Sequence, residues 1–173
     1  MAEIVKVYKQ VVPPSRFIGI KYFNKDRVNG NFGSKWEDWF KNQRFEKLEV
    51  LLSDEFKKTY DDVEAYIGLM RYKEDEEFEY WIGMFLPLDV SVPEGFEYVD
   101  FPASNLGVCY VKGFEYEIYC QEEECAKILM EQGYEIVRDE KGSIWFFERY
   151  GCPRFTTPDN EGKIILDICH FIK

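Results

Sequence analysis

Two halves of this 173-residue chain carry the same order of local patterns at nearly the same spacing, and that doubling decides which folds are open to it. In the first half, 16-RFIGIKYF-23 reads as a strand behind the Pro13-Pro14 bend, with an earlier extended stretch at 4-IVKVYKQ-10. The run 34-SKWEDWFKNQRFEKLEVLL-52 places Trp36, Trp39 and Phe40 at helical spacing and sets Ser34 and Glu37 as a capping box. Two β-rich runs follow, 63-VEAYIGLMRY-72 and 78-FEYWIGMFLP-87, joined as a hairpin by the acidic 73-KEDEE-77. After 93-PEGFEYVDFPA-103 the order repeats. A strand at 105-NLGVCYVKG-113 precedes a helix over 121–133, with acids in its first turn and Gly133 at its C′ position. Two more strands, 143-SIWFFERY-150 and 163-KIILDICHFIK-173, close the chain around a Pro/Asn/Asp/Gly-rich loop. Ser34 and Gln121 are 87 residues apart, and Tyr80 and Leu166 are 86 apart.

The expected fold is α+β: a single domain over residues 1–173 made of two β-α-β-β modules, about 1–90 and 91–173. A mostly antiparallel sheet would carry the helices on one face and a ligand cleft between the modules. The length suits one hydrophobic core. Within 143–150 the even positions are Ile144, Phe146, Glu148 and Tyr150, and the odd ones include Trp145 and Phe147. Both sets are aromatic, so this strand is expected to be covered on both faces.

Thirty-three acids against 22 bases give a net charge of −11, a field that repels phosphate backbones and argues against a nucleic-acid surface. The acids cluster in 74-EDEEFE-79 and 122-EEE-124, where keeping the protein in solution is explanation enough. Five cysteines contain no C-x-x-C pair and the N-terminus lacks a signal-peptide pattern, so reduced thiols and a cytoplasmic location are expected. Cys109, Cys125 and Cys169 fall among apolar neighbours as small buried hydrophobes. With His170 the single histidine, no metal-ligand spacing exists; neither a metal nor a cofactor is expected, and His170 reads as a packed strand residue. No apolar run approaches membrane-spanning length.

The chemistry concentrates in 145-WFFERYGCPRF-155, where Glu148 interrupts a run of aromatics. Ionised side chains are rarely buried without a partner. A carboxylate ringed by aromatic faces suits an organic cation. The candidate cage is Glu148 with Phe146, Tyr150, Trp145, Trp81, Tyr80 and Tyr66, with Tyr110 near the module junction and Trp36 or Trp39 on the first helix. The competing reading is an ordinary ion pair between Glu148 and Arg149, Arg154 or Arg71. Arg154 is expected instead to pin its own loop.

The stretches 145-WFFERYGCPRF-155, 163-KIILDICHFI-172, 80-YWIGMFLP-87 and 105-NLGVCYVKG-113 together resemble the GyrI-like small-molecule-binding domain over essentially the whole chain. That family includes the effector-binding domains of AraC-type and MerR-type multidrug regulators. The resemblance implies an acidic residue on the penultimate strand at the centre of an aromatic ligand pocket, the position that Glu148 matches. With no basic segment to supply a helix-turn-helix, a freestanding effector domain is expected, one that senses or sequesters small hydrophobic compounds, cationic or planar, with a lipophilic cation as the expected ligand. Two alternatives come with the family: a hydrolase of strained-ring electrophilic natural products using Glu148, and a protein partner, as in a gyrase modulator.

Overall fold

The computed structural model describes residues 1–173. Eight strands form: β1 (Glu3–Val12), β2 (Ser15–Phe23), β3 (Tyr66–Tyr72), β4 (Glu79–Leu86), β5 (Glu97–Phe101), β6 (Ser104–Gly113), β7 (Ile144–Tyr150) and β8 (Ile164–Ile172). Four helices accompany them: α1 (Gly33–Lys41), α2 (Arg44–Glu49), α3 (Asp54–Thr59) and α4 (Glu122–Glu131). All strands belong to one sheet in the order β1-β6-β8-β7-β3-β4-β2-β5, and every pairing is antiparallel. The architecture is therefore α+β, as the doubled pattern predicts. The two expected hairpins are β3–β4 and β7–β8, and their inner strands β3 and β7 meet at the centre of the sheet.

The sheet edges carry a feature that the linear order does not announce. β1 runs directly into β2 through Pro13-Pro14, yet it pairs with β6 at the far edge, and β5 precedes β6 yet pairs with β2. Each half of the sheet is thus completed by the strand that leads into the other half.

The expected single helix over 34–52 is two helices. Gln43 adopts a left-handed conformation (φ 51°), which ends α1 and turns α2 so that Phe45 and Leu48 point onto the sheet. Ser34 does not cap the helix. α1 begins one residue earlier, where the Asn31 side chain accepts from the Gly33 N–H at 2.9 Å, and the Ser34 hydroxyl is buried without a partner. At α4 the expected ending holds: Gly133 has φ 91°, and the Tyr134 N–H reaches back to the Leu129 carbonyl at 3.0 Å.

Helices α1 and α2 share a core with Ile18, Ile82 and Met84, and α4 packs over Cys109, Leu166 and Ile168. One row of the sheet links the two clusters. Ile82 lies opposite Gly68, Gly68 opposite Glu148, and Glu148 opposite Ile168, so α1, α2 and α4 cover the same face with Glu148 between them. Short α3 leads the chain to the other face, where Tyr60 and Val63 join Phe17, Leu69, Phe85 and Phe147. There Phe101 of β5 stacks on Phe171 of β8 with ring centres 5.0 Å apart. In the sheet order these strands are five places apart, a span of roughly 24 Å if the sheet were flat, so the sheet is strongly curled around this aromatic core.

Curling requires two strand backbones to approach closely, and glycine marks where. Gly19 of β2 faces Gly83 of β4, and a Cβ on Gly83 would lie 2.1 Å from the Ile18 carbonyl oxygen and 2.8 Å from the Gly19 Cα. The obstacle is backbone and cannot rotate away. Gly83→Ala is expected to cost about 3 kcal/mol, read as a lower denaturant midpoint with an unchanged slope in urea unfolding.

Candidate functional site

The pleat of β7 sends Phe146, Glu148 and Tyr150 to the helix-covered face and Trp145, Phe147 and Arg149 to the aromatic core. Glu148 is only 8% exposed, and none of the three candidate arginines pairs with it. Arg149 is directed to the opposite face. There its Nε donates to Asp167 at 2.7 Å, Nη1 to Gln10 at 2.9 Å and Nη2 to the Tyr8 hydroxyl at 3.2 Å. Arg154 bridges Asp167 and Asp62, tying its loop down as expected, and Arg71 holds Ser143, Glu76 and Glu79. The ion-pair reading of Glu148 is thereby overturned.

The hydrogen bond that Glu148 does make is neutral: the Tyr150 hydroxyl donates to its Oε2 at 2.7 Å. Trp36, from α1, sets its ring edge-on to Tyr150 with centres 4.9 Å apart and donates its indole N–H to the Tyr80 hydroxyl at 2.9 Å. Tyr80 in turn stacks on Phe32 at 4.2 Å. These polar ends converge over Gly68, directly opposite Glu148. A Cβ at that glycine would meet the Tyr80 hydroxyl at 2.7 Å and the Trp36 ring at 3.6 Å.

Burial drives the Glu148 carboxyl up to about 8, with the nearby Glu122 carboxylate of α4 adding to the rise. The same surroundings raise the Tyr80 and Tyr150 hydroxyls, through burial first and the Glu148 charge second. Tyr119 and Cys120, on the lead-in to α4, are raised by burial and also feel Glu148. Beside this group, a hollow of about 280 Å³ is lined by Ile144, Phe146 and His170 of the sheet, Phe78 and Tyr72 of the first hairpin, and Glu122, Glu123 and Ala126 of α4. Glu148 is not on its wall; Glu122 adjoins both.

Of the residues expected around Glu148, the structure brings Trp36, Tyr80, Tyr150 and Phe146 to it. Tyr66 lies on the same face across from Tyr150, stacked on Phe45 at 3.7 Å and donating its hydroxyl to Glu49 at 2.5 Å, so it belongs to the α2 edge. Trp39 is fully buried beneath α1, bonded to the Tyr22 hydroxyl at 3.0 Å. Trp81, Trp145 and Tyr110 are corrections, because strand alternation places all three on the other side of the sheet. Trp81 and Trp145 pack in the aromatic core with their N–H groups on Glu79 and Asp139, and Tyr110 joins Tyr8 and Arg154. Glu122, expected only to keep the protein in solution, adjoins Glu148, and Phe32 and Tyr119 join the same neighbourhood. An acid at the first turn of a helix that must lie on this face was the available signal for Glu122.

No protein family matches the sequence, and no curated protein does. Solved structures do match its shape. A protein of Staphylococcus aureus MU50 described as a bacterial transcription regulation protein superposes with a TM-score of 0.62 at 17% identity, covering 97% of this chain and 98% of that one. The protein SAV2435, bound to tetraphenylphosphonium, gives 0.67 at 17% identity, covering 98% and 94%. The chain has the GyrI-like fold. A hydrolase from Listeria innocua shares that fold at a TM-score of 0.54 and 12% identity, covering 97% of this chain and 92% of that one. No helix of the GyrI-like fold here is long and apolar enough to cross a membrane.

The raised Glu148 carboxyl has a definite consequence for stability. Between its unfolded value of 4.5 and its folded value of about 8 the native state holds a proton that the unfolded chain has lost, so stability falls as pH rises through that window. His170 acts in the opposite sense at lower pH. Burial lowers it from 6.5 to about 4, so stability rises with pH between those values. Above pH 6.5 the His170 effect is complete, and the Glu148 effect continues without it up to pH 8. Unfolding free energy is expected to drop by about 2 kcal/mol over that interval, and Glu148→Gln, which stays neutral, is expected to abolish the drop in pH-resolved urea titrations.

Proposed function

We propose that this protein binds hydrophobic organic cations, with Glu148 as the charge partner and Trp36, Tyr80, Tyr150 and Phe146 as the aromatic walls. One observation carries the reading: Glu148, only 8% exposed and set between α1 and α4, pairs with no basic side chain, while the three arginines expected as its partners, Arg149, Arg154 and Arg71, are engaged elsewhere. Such a group is costly to ionise alone, and a guest that brings the positive charge removes that cost. Flat aromatic faces add attraction of about 0.5 to 2 kcal/mol each where they are desolvated. The tetraphenylphosphonium held by SAV2435, which shares this fold, is a ligand of the same class.

The proton on Glu148 makes binding proton-linked. A cation that pairs with the carboxylate must displace that proton, so the apparent affinity for tetraphenylphosphonium is expected to increase by up to about tenfold from pH 6.5 to 7.5. Calorimetry in buffers of different ionisation enthalpy should show close to one proton released at pH 7. Glu148→Gln is expected to weaken tetraphenylphosphonium by about 1 to 3 kcal/mol and remove the pH dependence, while leaving tetraphenylmethane-like neutral analogues nearly unaffected. Equal loss for charged and neutral ligands would reject the reading.

A second reading has its own support. A carboxyl raised to about 8 with a tyrosine hydroxyl at 2.7 Å also suits acid–base chemistry in hydrolysis, and a hydrolase from Listeria innocua shares the fold. Mass analysis after incubation with a cyclopropane-bearing electrophile separates the two, since turnover that Glu148→Gln abolishes would favour hydrolysis over binding alone.

A further inference from the structure

Glu148 lies at one end of a line of side chains along β7. Tyr150 and the Trp36 ring close the site on one side, while Phe146 and Ile144, on the same face at successive two-residue steps of roughly 7 Å, continue into the hollow. That hollow is mostly apolar, and its polar contributions are of one sign. Glu122 and Glu123 stand on the α4 wall, and no lysine or arginine is among its lining residues. Opposite them is His170, 3% exposed, its ring stacked on Phe146 with centres 5.4 Å apart and its Nδ1 without a hydrogen-bond partner in the protein. Buried polar atoms are normally satisfied, and burial keeps this imidazole neutral at physiological pH. The guanidinium near the opposite rim makes no ion pair with the acids: Arg27 sits 4.5 Å from the centre of the Phe32 ring and 5.9 Å from that of Phe78, and donates to Asn24 and the Gly30 carbonyl.

We propose that the site is a two-ended groove for an elongated aromatic bis-cation, one head at Glu148 and the second in the hollow between Phe146, His170 and the Glu122/Glu123 wall. The proposal rests on the cation-binding reading of Glu148 and adds to it a second charge and a length. A volume of about 280 Å³ accommodates one flat heteroaromatic head and part of a linker, with Phe146 and Phe78 as its aromatic walls. The Glu122/Glu123 pair provides for the second charge, and the neutral His170 ring, stacked on Phe146, adds a flat wall.

The test compares a bis-quinolinium with a six-methylene linker against N-hexylquinolinium, by calorimetry at pH 8. The bis-cation is expected to bind at least tenfold more tightly, beyond the twofold that two equivalent heads supply. Two variants probe the second end. Ala126→Trp fills the hollow from an α4 position away from Glu148, and Glu123→Gln removes an acid of its wall that does not act on Glu148. Each is expected to bring the two ligands within about twofold of one another while N-hexylquinolinium still binds, which also shows that the variant is folded. A bis-cation no tighter than its single-headed counterpart overturns the two-ended groove and leaves the Glu148 reading standing. An advantage that survives both variants overturns it as well. If neither quinolinium binds the unaltered protein, the cation-binding reading fails and this inference falls with it.

Discussion

The two-residue pleat of a single central strand separates the charges on which the site depends. Glu148 and Arg149 are adjacent in sequence, and in a loop they could meet across solvent. On β7 they point to opposite faces of a sheet covered on both sides. Arg149, 1% exposed, spends its donors on Asp167, Gln10 and Tyr8. That network is satisfied within itself and cannot lend charge through the sheet. The carboxyl on the other face is left with a phenol, a neighbouring acid and a set of rings. Its raised carboxyl follows from that arrangement. Gly68 is the quieter requirement, since only a residue without Cβ leaves room for the Tyr80 hydroxyl and the Trp36 ring to converge opposite the acid.

Features set by local chemistry were legible in the sequence. The two hairpins, the helix ending at Gly133 and the placement of Glu148 on a covered strand all follow from alternation, turn residues and aromatic clustering over a few positions. Features set by distant partners were not. The exchange of β1 and β5 between sheet edges depends on pairings about a hundred residues apart, for which no short pattern exists. Trp145 is a different case: its odd position already set it apart from Glu148, and its aromatic character outweighed its parity. Trp81 could be placed only once the register between β4 and β3 was known. The break at Gln43 leaves no mark in the hydrophobic spacing, because the apolar stripe continues through it from Trp39 to Phe45. Glu122 became visible only when the rotation of α4 about its axis was fixed by Cys125 and Leu129 packing on the sheet.

The surplus of aromatic residues serves two separate purposes. On the inner side of the curl, Phe17, Phe85, Phe101, Phe147 and Phe171 fill the space left by a sheet bent towards itself. On the seam, Trp36, Tyr80 and Tyr150 keep polar tips that reach one another and the acid. The difference lies in the tips: phenylalanine dominates where nothing polar is wanted, and tyrosine or tryptophan appears where a flat wall must also donate a hydrogen bond. Proteins of this shape at 17% identity or less can therefore keep the frame while the residues on the seam change.

The crossed edge strands also set the order in which the molecule can be assembled. Val7 must find Cys109, so an early-emerging strand waits unpaired until most of the chain exists. A polypeptide with such distant partners surrenders much chain freedom before its first edge closes, and this places it among slow folders rather than fast ones. During that wait β1 is an exposed ribbon. Its lysines at positions 6 and 9 then protect it, because repelling charges discourage two nascent copies from zipping together before either is complete.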